Sequence, residues 1–182
     1  MIEKMALPTS CIANYFQVLE RISSADSSVS LELIQSTRSL VCPFLPNTEF
    51  FRGRLDLSIA YEVPLHTIFA RREQGNVPYL LSDLASDLKD GAVSRLTINT
   101  ETEEKIRSLA RAILTDGFPL TPLPVIVEDC EGKHRLILES NGRFTALWLT
   151  DRAASNTTVE AYVGHTTMRW SRMLAQCNMN EA

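Results

Sequence analysis

Apolar residues recur at helical spacing near the start of the chain. Ile12, Tyr15, Phe16, Leu19 and Ile22 predict an amphipathic helix over 10–25, with Thr9 or Ser10 as its cap. Residues 30–41 fit a helix or a strand equally. Cys42-Pro43-Phe44-Leu45-Pro46-Asn47 then breaks regular structure. The reading is an N-terminal helical extension over 1–46 and a main domain over 47–182. Short β-rich runs follow at Leu55–Ile59 and Glu62–Ile68. A loop carrying Arg71, Arg72, Gly75, Asn76 and Pro78 comes next. Leu80, Leu81, Leu84 and Leu88 predict a helix over Tyr79–Lys89 that Gly91 closes, and 92–100 read as a polar connection.

The second half is more regular. Ile106, Leu109, Ala110, Ile113 and Leu114 form the apolar stripe of a helix. Thr100 or Thr102 would cap it, acids at 101, 103 and 104 suit its positive end, and Asp116-Gly117 ends it. A proline-rich entry leads to strand Leu123–Glu128, a turn over Asp129–Lys133, and strand His134–Glu139. Ser140-Asn141-Gly142 reads as a tight turn before a helix over Arg143–Thr150. A strand over Thr158–Val163 and a helix over Thr166–Gln176 complete the chain. The fold class is α+β, a small mixed sheet with packed helices.

Composition narrows the function classes. The 182 residues are 45% hydrophobic and 22% charged, which is globular, and the net charge of -4 leaves any nucleic-acid contact to a local patch. No apolar run is long enough to span a membrane, and Met1-Ile2-Glu3-Lys4 does not open a signal peptide, so the cytoplasm is the expected location. Cysteines 11, 42, 130 and 177 are widely spaced, which predicts reduced thiols and neither a zinc site nor a redox pair. His66, His134 and His165 follow no ligand spacing and read as structural or surface residues; Trp148 and Trp170 read as core. Walker A, dinucleotide-binding, zinc-protease and nucleophile-elbow motifs are absent from the sequence.

The polar chemistry concentrates in Glu139-Ser140-Asn141-Gly142-Arg143, between a strand and a helix start. Free amides there favour an anion, Gly142 admits close approach to the backbone, and Arg143 offers a two-pronged phosphate donor. The same pattern also describes an ordinary strand-to-helix turn with a surface arginine. Lys105 and Ser108 share one helix face, where both could reach a phosphate or simply face water. Arg71 and Arg72 could add to a cationic pocket, touch DNA phosphates, or be plain surface charge.

In their order these pieces resemble the ParB/sulfiredoxin superfamily over roughly residues 55–176, with an insertion around 73–100. The matching segments are Val63-Pro64-Leu65, Lys105-Ile106-Arg107-Ser108-Leu109, the loop through Arg143-Phe144-Thr145-Ala146, and the closing strand at Thr158–Val163. The resemblance implies that Lys105, Ser108, Gly142, Arg143 and Arg71 contact ATP phosphates. Asn141 stands where sulfiredoxins have their catalytic cysteine, which removes sulfinic acid reduction. Within the superfamily the chain is similar to plasmid fertility-inhibition factors. That implies an ATPase and DNase that blocks DNA transfer through a type IV secretion system. Its partners would be the coupling protein or the transferred DNA, met at the inner face of the inner membrane. Mg²⁺ would be held mainly through phosphates. Lys105, Arg71 and Arg143 would neutralise developing charge, and Glu139 or Asn141 would orient water or metal. The alternative is a non-catalytic inhibitor that binds a nucleotide or the secretion machinery.

Overall fold

A computed structural model describes residues 5–6, 41–56, 65–72, 75–91, 98–119, 123–150 and 158–178. The expected helix over 10–25 and most of 30–41 lie outside these residues, as do 57–64 with Pro64.

Among the described residues seven strands form one mixed sheet: β1 (Met5–Ala6), β2 (Thr48–Asp56), β3 (Leu65–Arg72), β4 (Gly75–Leu80), β5 (Val125–Glu128), β6 (Arg135–Glu139) and β7 (Thr158–Thr166). Their order is β1-β2-β7-β5-β6-β3-β4. The β5–β7 and β6–β3 pairs are parallel and the others antiparallel. The fold is thus α+β, with helices α1 (Leu81–Lys89), α2 (Thr100–Asp116), α3 (Asn141–Leu149) and α4 (Trp170–Asn178).

Strand alternation sorts the core into two faces. Ile126 and Ile137 point to one side, where they meet Leu84 and Leu88 of α1, Ile106, Ala110 and Ile113 of α2, and Phe144 and Leu147 of α3. Val125, Val127, Leu136 and Leu138 point to the other. There they meet Val41 and Phe44 beside a 3₁₀ helix over Cys42–Asn47, and Met168, Met173 and Trp170 around α4. Both faces of β5 and β6 are buried, so these strands read as apolar runs rather than as alternation. Trp148 packs partly buried against the first face, in keeping with its core reading.

Several boundaries differ from the sequence reading. Gly75–Leu80 is a strand and not a loop; as the sheet edge it accommodates Pro78, whose missing N–H needs no ladder partner there. Arg71 and Arg72 accordingly end β3, beside a register shift against β4. The strand before Asp56 begins at Thr48, because β2 pairs with β7 along its whole length. Asn99, not a threonine, caps α2, its side chain accepting from the Thr102 amide at 2.8 Å. The 140–142 turn is shorter than expected: Ser140 alone is left-handed, and Asn141 already starts α3. β7 runs on to Thr166, and α4 begins at Trp170.

Candidate functional site

The α3 start sits where β6 leaves the sheet. Ser140 has φ 85 and ψ 19 and is the one non-glycine with positive φ among the described residues. That conformation costs a side chain roughly 1–2 kcal/mol. Two bonds fix it: the Phe144 amide donates to the Ser140 carbonyl at 3.0 Å, and the Arg143 guanidinium donates to the Ser140 hydroxyl. The first amides of α3 have no acceptor within the helix, and the Ser140 side chain does not cap them. A side chain added at Gly142 would meet nothing within 4 Å, so there is open space beside this residue. The Asn141 carboxamide accepts from Thr67, a fully buried residue on β3.

Arg143 does not face outward. It is buried, donates to the Pro119 carbonyl at 2.9 Å, pairs with Glu139 at 3.6 Å and lies 5.8 Å from the centre of the Phe118 ring. Arg143, expected as a phosphate contact, thus spends these donors on partners within the chain. Its charge ties the loop to the segment that leaves α2, because a buried guanidinium must spend its donors on acceptors nearby. Lys105 is exposed and pairs with Glu101 at 2.6 Å, one turn away. Ser108 is exposed on the same helix. Among the described residues no hydrogen bond or ion pair joins Lys105 or Ser108 to the loop, and roughly 18 Å of helix axis separate Lys105 from Gly117. Arg71 lies on β3, on the far side of Thr67 from His66.

A second polar group occupies the opposite end of the sheet. Glu128 has Arg135 as its register partner on β6 and His165 as its partner on β7. It pairs with Arg135, and with His165 Nδ1 at 3.1 Å. Across the sheet, His66 Nε2 and His134 Nδ1 lie 3.2 Å apart, and both rings pack against Trp170. Asp129 is buried and accepts from the Lys133 and His134 amides at 2.8 and 3.2 Å, closing the β5–β6 turn. Burial first, and then the neighbouring His134, push the His66 pKa down from 6.5 to about 4. The Pro78 carbonyl, Asp129 and Asp83 oppose that shift weakly.

Thr67, Phe118 and Pro119 went unnoticed in the sequence because their roles arise from contacts 24 to 74 residues away in the chain. The expected β5–β6 hairpin was the one signal that could have paired Glu128 with Arg135. Among the described residues, no group of three or more His, Cys, Asp or Glu side chains is arranged to hold a metal ion, and no helix is long and apolar enough to cross a membrane. Cys42 and Cys130 are exposed free thiols. Comparison of the chain with protein-family models, with curated proteins and with solved structures finds no match in any of the three.

Proposed function

We propose that the start of α3 is an anion seat for the phosphates of a nucleotide, ATP above all, in a protein that restrains DNA transfer through a type IV secretion system. One observation carries the seat: left-handed Ser140 is followed at once by helical Asn141, with open space beside Gly142. A left-handed residue before a right-handed one turns successive amides toward a common point, and the helix dipole adds positive potential there. Arg143 shapes this seat from behind. Lys105 stays with Glu101 some way along α2 and is not part of this seat. The transfer-inhibition setting, with the coupling protein or the transferred DNA as partner, rests on the resemblance to plasmid fertility-inhibition factors.

The resemblance also implies ATP hydrolysis and DNA cleavage, with Mg²⁺ carried by the phosphates. A specific observation favours the second reading, inhibition by binding alone. Glu139 and Arg143 pair with each other, and the Asn141 carboxamide is taken by Thr67, so all three expected catalytic side chains already have structural partners. Calorimetric titration with ATP and Mg²⁺ tests the seat. Saturable binding that weakens about tenfold in Gly142→Ala, equal to roughly 1.4 kcal/mol, supports it; no binding sinks it. Phosphate release, and nicking of supercoiled plasmid with Mg²⁺ but not with EDTA, would mark the catalytic form. Binding without either would mark the inhibitor.

A further inference from the structure

We infer that His66, His134 and Trp170 form a proton-sensitive joint that holds α4 against the sheet. The three rings come from β3, the end of the β5–β6 turn and the first residue of α4. Their centroids are 4.3, 4.8 and 5.3 Å apart, a compact triangle that puts both imidazoles over one face of the indole. His134 is stacked on Trp170 at an interplanar angle of 13°, and His66 is tilted by 37°. His66 itself is buried.

The facing nitrogens, His66 Nε2 and His134 Nδ1, are 3.2 Å apart. One proton between them suffices: one nitrogen donates and the other accepts. With His66 donating, a further proton on that ring goes to Nδ1, which is buried without a hydrogen-bond partner, and it brings a charge into a part-buried site. Neither ring can turn away without breaking its contact with Trp170.

The surroundings offer limited relief. Among the described residues β4 presents the Pro78 carbonyl, α1 presents Asp83, and the turn presents Asp129, whose Oδ1 already serves two amides. His66 Nδ1 is buried with no partner of hydrogen-bond geometry. From α4 the facing group is the indole itself. Burial first, and then His134, hold the imidazole near 4 rather than 6.5, and the Pro78 carbonyl, Asp129 and Asp83 offset this only in part. Protonation therefore works against the ring stack, which together with Met168 and Met173 anchors α4 to this face.

The test is a pH titration of the full chain by NMR, following the His66 and His134 imidazole carbons and the Trp148 and Trp170 indole N–H signals. The indoles are assigned with Trp170→Phe. The expected result is a joint transition of His66 and Trp170 well below 6.5, near 4, ahead of any change at Trp148. His134→Gln removes the repelling ring and should raise the His66 midpoint toward 6.5. His66→Gln should abolish the Trp170 transition. Titration of His66 at about 6.5 in the wild type would overturn the inference. So would a Trp170 transition that survives unchanged in His66→Gln, or one that coincides with Trp148 in both proteins.

Discussion

The two ends of the sheet use charge in opposite ways. At the α3 end a cation that the sequence pattern offers to a ligand is consumed internally, by Pro119, Ser140 and Glu139. At the turn end, residues that look unrelated in sequence converge: Glu128 sits between Arg135 and His165, and two histidines 68 residues apart meet over one tryptophan. The first end is a helix start held from behind by a buried arginine, with open space beside Gly142. The second is a packed polar cluster whose fit depends on where its protons are. Side-chain type at a loop is thus a poor guide to whether that side chain faces a ligand; burial and available acceptors decide it.

The largest effect should come from Arg143→Ala. It strands the Pro119 carbonyl, leaves a cavity where the buried Arg143 side chain sat and removes its pairing with the half-buried Glu139, at a cost of about 3–5 kcal/mol. Lys105→Ala should stay within about 0.5 kcal/mol of the wild type. Chemical denaturation reads both. Equal midpoints for the two variants would erase the contrast between a pinned and a solvated cation.

Acid should weaken the turn end next. His66 has a folded pKa of about 4 against 6.5 when unfolded. Between these values the unfolded chain binds a proton that the folded chain refuses. The stability from neutral His66 is therefore fully present above 6.5 and lost as pH falls to about 4, a change of about 3 kcal/mol. Urea denaturation at a series of pH values should show this slope in the wild type and a flatter one in His66→Gln. Glu128→Gln comes third. It removes the charge that Arg135 and His165 share, and about 2 kcal/mol should be lost. An unchanged thermal midpoint would show the pairings to be incidental.

Gly142→Ala is the smallest change in stability and the sharpest in meaning. The new methyl meets nothing, and alanine favours helix, so folding should be unaffected or gain up to about 1 kcal/mol. Nucleotide affinity should fall all the same. A loss of stability would mean that the floor of the seat is not open.

Much of this fold was legible in the chain. The stripe through Ile106, Ala110 and Ile113 and the stop at Gly117 mark α2, and Gly132 marks the β5–β6 turn. β4 was hidden because Pro78 argues against a strand except at an edge, and edge position is a tertiary fact. The strand-to-helix junction was legible in place but not in detail. Asn141 and Gly142 open a helix where a turn was expected, and the left-handed turn falls on Ser140 alone, where a serine gives no warning. The inward turn of Arg143 was invisible, since it depends on Phe118 and Pro119 folding back toward α3. The histidine pair was invisible for the same reason: no spacing rule links positions 66 and 134.

The backbone seat at the start of α3 is the central claim, and amide chemical shifts report on it residue by residue. In a titration of ¹⁵N-labelled protein with ATP and Mg²⁺, saturable shifts should appear first and largest at the Asn141 and Gly142 amides. Lys133, His134 and the Trp170 indole should stay unmoved. Shifts confined to the turn end, or no saturable shift at Asn141 and Gly142, would contradict the account.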